Sequence, residues 1–166
     1  MFQEKKGFTL IETLIYIGII GIIVTALTSF TISIGNSRNK TYVVQEVHAN
    51  ARFALNLIGG KIREADIITS PASGNSTGTI VLKMQGANPD ITFNVNDGIL
   101  QMIEGADSPI SMTAGRVNID SITFTNLGRV GERENIHIKM TISYRNNEST
   151  IFNYSNTYQT SISIRK

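Results

Sequence analysis

A long uncharged stretch near the N-terminus constrains this chain more than any other feature. Residues 13–37 contain no Asp, Glu, Lys or Arg, and most of them are apolar. In front stands the run Lys5-Lys6-Gly7-Phe8-Thr9-Leu10-Ile11-Glu12. A helix of ~20 apolar residues spans a bilayer, so this block is long enough to cross one. Over residues 8–37 Glu12 is the one charge, near the N-terminal edge of the apolar stretch. A carboxylate at that depth costs ~3 kcal/mol on insertion scales, and an ordinary anchor has no use for it. Lys5 and Lys6, ahead of the block, predict a cytoplasmic N-terminus and an outward C-terminal body.

Two ordinary explanations fit less well. A secretory signal peptide carries its small-residue cleavage site after the apolar run. Here Gly7 comes before the run, and nothing like Ala-x-Ala follows it. A single-pass anchor accounts for the lysines and the apolar block but leaves Glu12 without a purpose. Composition narrows the remaining classes. The chain has no cysteine, so disulfides, thiol nucleophiles and thiolate metal sites are excluded. A formal net charge of +2, with no basic cluster beyond the N-terminus, argues against direct nucleic-acid binding by the body.

Lys6-Gly7-Phe8-Thr9-Leu10-Ile11-Glu12 resembles the processing motif of type IV pilins and type II secretion pseudopilins. The resemblance implies a prepilin peptidase that cuts between Gly7 and Phe8 and then N-methylates Phe8. Lys5 and Lys6 are the leader charge. Glu12 becomes the fifth mature residue, and its carboxylate meets the Phe8 amine of a neighbouring subunit. A buried pair of that kind adds little net stability but can fix register. Two looser patches are similar to minor pseudopilins of the J type and to W-type minor pilins: Ala51-Arg52-Phe53-Ala54-Leu55 with Ile62-Arg63-Glu64-Ala65, and the closing Thr160-Ser161-Ile162-Ser163-Ile164-Arg165. The tip-most minor subunit of the family lacks the acid, so Glu12 argues against that position.

Beyond residue 37 the pattern becomes amphipathic. Val44, Val47, Ala51, Leu55, Ile58, Ile62 and Ala65 recur at spacings of three or four. No proline interrupts residues 8–70. One helix over residues 9–66 follows, about 58 residues and ~85 Å long. Gly59-Gly60 is its expected point of bending. Gly18 and Gly21 are the other helix glycines before Gly35; they fit close helix packing and ordinary transmembrane composition equally.

Residues 70–78 read as a loop. Strands are expected over 79–84, 91–95, 99–103, 117–125, 135–144, 150–154 and 157–164, with Asn96-Asp97-Gly98 as a hairpin turn and residues 146–149 as another. Over 135–144 the alternation is clean: Ile136, Ile138, Met140, Ile142 and Tyr144 share one face, and His137, Lys139, Thr141 and Ser143 the other. Such alternation marks antiparallel strands with one buried face. The fold class is therefore α+β: a long N-terminal helix packed on an antiparallel β-sheet head. The division is a leader at 1–7, a transmembrane or filament-core helix at 8–37, its amphipathic continuation at 38–69 and the head at 70–166.

No constellation for catalysis stands out. His48 and His137 read as solvated histidines rather than metal ligands. Asn94, Asn96 and Asp97 read as a turn, not a calcium loop. Nucleophile elbows, phosphate loops and dinucleotide fingerprints are absent from the sequence. The expectation is a structural subunit with no enzymatic activity, no cofactor and no metal. Its partners would be the prepilin peptidase, other pilin or pseudopilin subunits, an inner-membrane assembly platform and the membrane. It would sit in the inner membrane by a single pass, head outward, and then in a pilus or pseudopilus. The alternative is an uncleaved, membrane-anchored sensor or binding protein with a β head.

Overall fold

The computed structural model describes residues 7–128, 134–145 and 153–165. The chain divides into two units, Met1–Thr41 and Tyr42–Lys166, and one helix, α1 (Leu10–Glu64), belongs to both.

In the first unit every described residue is exposed. An apolar helix with no buried face has none of the packing that stabilises a helix in water, and its length and composition suit a membrane span. Its threonine hydroxyls are satisfied locally. Thr25, Thr28 and Thr31 each donate to the backbone carbonyl four residues back, at 2.8, 2.8 and 2.9 Å. Gly18 and Gly21 leave open space where a side chain would stand.

Among the described residues, the second unit pairs the rest of α1 with nine strands: β1 (Ala65–Ser70), β2 (Ser76–Thr77), β3 (Ile80–Met84), β4 (Ile91–Asn96), β5 (Ile99–Glu104), β6 (Ile110–Ser111), β7 (Val117–Asn126), β8 (Asn135–Tyr144) and β9 (Ser155–Ser163). They form two antiparallel sheets, in the orders β1-β3-β4-β5-β6 and β2-β7-β8-β9. This is the expected α+β arrangement. Helix residues Val47, Ala51, Ala54, Ile58 and Ile62 are fully buried in one cluster with Phe93, Leu100, Phe124 and Met140. Each large apolar side chain buried this way contributes ~1.5–3 kcal/mol, and that burial holds the amphipathic half of α1 in place.

The buried stripe is Val43, Val47, Ala51, Ala54, Ile58 and Ile62. Val44 and Leu55, expected in it, are half-buried at its margin. The helix stops at Glu64 rather than continuing to 66 or 69, and residues 65–70 form β1. Ala65 is buried either way, so the helical period runs on past the true end. The run Ile67-Ile68-Thr69 is β-branched throughout, and it pairs with β3. Nor does α1 break at Gly59-Gly60. Gly59 is buried, and a Cβ there would stand 2.8 Å from Ile162 Cδ1. It is a point of close approach to β9, not a hinge.

The 70–78 loop contains the short strand β2, which pairs with β7. The Asp97-Gly98 turn is present as expected. Asn96 and Ile99 pair across it, and both turn residues have positive φ, 49° and 69°. Two such residues in succession mark the turn type that matches strand twist. The tip docks on the other sheet: the Ile119 N–H donates to Gly98 O at 2.8 Å, and Arg145 Nη2 to Asp97 O at 2.5 Å. The expected turn at 146–149 and most of the strand at 150–154 lie outside the described residues. Asn153 and Tyr154 precede β9 and are not strand.

Candidate processing and assembly site

The N-terminal segment has a sharp boundary. Gly7, Phe8 and Thr9 are not helical, and α1 begins at Leu10. Three hydrogen bonds set that boundary. The backbone N–H and the hydroxyl of Thr9 both donate to Glu12 Oε2, at 3.2 and 3.3 Å. The Glu12 N–H donates back to Thr9 Oγ1 at 3.3 Å. This is a capping box: Thr9 and Glu12 each satisfy a backbone N–H that the first turn would leave orphaned. The carboxylate also faces the positive end of the helix dipole, worth ~0.3–1 kcal/mol at an exposed site.

Glu12 therefore has a role within its own chain, which its depth in the apolar block does not reveal. The pattern Thr-x-x-Glu just ahead of an apolar run would have disclosed it.

Around this cap the residues are open. Phe8 is 72% exposed, with its ring edge-on to Tyr16 at a centroid distance of 6.0 Å. Apart from its chain neighbours, no atom of the described residues lies within 4 Å of the place where a Cβ on Gly7 would be. Nothing in the described chain requires glycine there, so any requirement comes from a molecule that reads this segment. The Gly7–Phe8 bond lies in the exposed, non-helical segment, and such a bond is one a peptidase can bind. Lys5 and Lys6 lie outside the described residues.

The head offers less chemistry. Among the described residues no group of three or more His, Asp or Glu side chains is placed to hold a metal. His48 is not the solvated histidine expected from its helix position. It is half-buried, with Nδ1 2.6 Å from the Tyr158 hydroxyl and Nε2 3.2 Å from the Tyr154 hydroxyl. Both ring nitrogens are taken up in joining α1 to the β9 segment. Burial pushes the Tyr158 phenol above its ordinary pKa. The two tyrosines are distant in sequence from His48, so no local pattern announces them. His137, on the polar face of β8 as expected, meets Ser161 Oγ at 3.0 Å.

Asp120 is the extra residue of a bulge in β7, since Ile119 and Ser121 pair with Ile142 and Thr141. It accepts from Asn118 Nδ2 at 2.7 Å and from Ser143 Oγ at 2.8 Å. These contacts brace the sheet beneath the Asp97-Gly98 turn and place no reactive group in a cleft.

Residues 3–28 match the family model described as the prokaryotic N-terminal methylation motif. That stretch takes in Gly7, Phe8, Thr9 and Glu12, supports the likeness to type IV pilins and pseudopilins processed by a prepilin peptidase, and points to a structural subunit. No curated protein and no solved structure matches the chain.

Proposed function

We propose that this chain is a pilin-like structural subunit of a type IV pilus or type II secretion pseudopilus. Its leader is residues 1–7. A prepilin peptidase cuts between Gly7 and Phe8 and methylates the Phe8 amine. Residues 8–37 then hold the product in the inner membrane, with the N-terminus cytoplasmic and the head outside. On assembly the helix moves into a filament core, where Glu12 pairs with the Phe8 amine of a neighbour and sets the axial step. The J-type or W-type minor role, in an initiating complex of minor subunits, is the form of this proposal that the patches at 51–55, 62–65 and 160–165 favour.

One observation carries the reading. The methylation motif coincides with a non-helical Gly7–Phe8 bond directly ahead of a capped helix whose first, apolar part, through residue 41, is exposed throughout. The arrangement leaves the bond open to a peptidase and keeps the anchor whole after the cut. The test is the intact mass and N-terminal sequence of the chain from cells that hold a prepilin peptidase. A chain beginning at Phe8, heavier by one methyl group, is expected. A chain that still carries residues 1–7 would overturn the processing step and leave a membrane-anchored binding protein as the better reading.

A further inference from the structure

The edges of the two sheets are treated unequally. β2 and β6 are two residues long. β1 carries two register shifts against β3, and its Ile68 N–H is taken by Glu134 Oε2 at 2.9 Å. Short strands, bulges and charged caps are the usual ways a protein prevents an edge from pairing with another chain. β9 has none of these. It is nine residues long, keeps an unbroken register with β8, and contains no proline and no charged residue.

Which backbone groups of β9 are free follows from its pairing. Even-numbered residues turn inward: the Ile164 N–H donates to Glu134 O at 3.2 Å, and Tyr154 O accepts from the Tyr144 N–H at 2.9 Å. The odd-numbered residues therefore aim their N–H and C=O groups away from β8. Two of these groups are closed within the chain. The Thr157 N–H reaches Asn156 Oδ1 at 2.9 Å, and the Arg165 N–H reaches Arg63 O at 3.4 Å. Between these stops, Gln159, Ser161 and Ser163 present a row of donors and acceptors with no partner among the described residues. Their side chains are exposed and uncharged.

We propose that β9 is a strand-addition site, filled by an extended, uncharged segment of a partner polypeptide. Only another extended backbone matches an alternating row of N–H and C=O groups along its length. A second copy fits less well. β9 runs in the same direction as the Tyr42–Glu64 part of α1, since His48 meets Tyr154 and Tyr158, Gly59 meets Ile162, and Arg63 meets Arg165. Antiparallel pairing of two β9 strands would set the two heads end for end. Copies that enter one membrane by the same end do not adopt that arrangement. This choice of occupant, unlike the open edge itself, rests on the anchor reading above.

Amide hydrogen exchange on the full chain in detergent micelles tests the proposal, with a terminally blocked peptide of the 155–163 sequence as the probe. In the free chain the amides of Gln159, Ser161 and Ser163 are expected to exchange about 100-fold faster than those of Tyr158 and Thr160. Peptide at millimolar concentration slows those three about 10-fold. Gln159→Pro removes one outward N–H, is tolerated on an edge, and weakens peptide binding about 10-fold or more. Slow exchange of the three amides in the free, dilute chain would overturn the proposal, as would peptide that protects nothing or binds Gln159→Pro equally well. Protection that grows with chain concentration alone would make a second copy the occupant and overturn the partner assignment. None of these readouts depends on cleavage at Gly7, so a failure here is separable from a failure of processing.

Discussion

Glu12 has one partner within its own chain and, on the proposed function, a second in the filament. Within the chain it closes the first turn of α1 through Thr9. In an assembled filament it would face a neighbour's amine. Thr9→Val keeps the side-chain shape but removes the hydroxyl, and loss of such a cap costs ~1 kcal/mol. Exchange at the Glu12 amide is expected to quicken about 5-fold, as read by hydrogen exchange in micelles. Glu12→Ala should leave cleavage intact, because the scissile bond lies four residues upstream, yet reduce recovery of the subunit in sheared filaments. Normal recovery would remove the register argument. Gly7→Val should block cleavage without disturbing the fold, since, chain neighbours apart, no atom of the described residues lies within 4 Å of a Cβ there; an uncleaved chain of normal thermal stability is the expected result. The methylation motif at residues 3–28 was legible from its residues alone. Its cap was missed because the acid was read for its cost in lipid rather than for its distance from Thr9. The His48 clasp was not legible at all, since its partners stand 106 and 110 residues away.

Among the elements, periodicity carries most of the information, and it fails where two periods overlap. β8 alternates as its sequence does, from Ile136 to Ile142. The end of α1 is blurred because Ala65 satisfies both the helical stripe and the first inward position of β1. Gly59 and Gly60 look alike in sequence and separate only by what lies across from them. Gly60→Ala places its methyl group in open space and is expected to stabilise the head by ~0.5–1 kcal/mol. Gly59→Val drives a branched side chain into Ile162 and should cost ~1–3 kcal/mol, seen as a lower thermal midpoint. The α1–β9 contact also has a pH limit. The Tyr158 pKa is raised in the folded state, first by burial, so its contribution is intact below the ordinary tyrosine value near ~10 and is lost as pH climbs through the raised one. Alkaline unfolding of Tyr158→Phe should lack that limb of the pH profile.

At the scale of the molecule, the two units are built on opposite terms. The head has a closed core in which helix and sheets cover one another, while residues 7–41 bury nothing. The α+β class was readable because a charge-free block, an amphipathic stripe and a series of alternating segments follow one another in order. The assignment of strands to two sheets was not readable. It depends on long-range contacts, such as the docking of Gly98 on Ile119 and of Glu134 on Ile68. No sequence period encodes those contacts. The threonines of the first unit carry a consequence of their own. Because Thr25, Thr28 and Thr31 spend their hydroxyls on their own backbone, they ask nothing of what surrounds them. A helix of this kind is indifferent to whether fatty chains or other helices press against it. At those three threonines, moving it from one setting to the other exchanges apolar contact for apolar contact, whereas Glu12 carries a charge that tells the two apart.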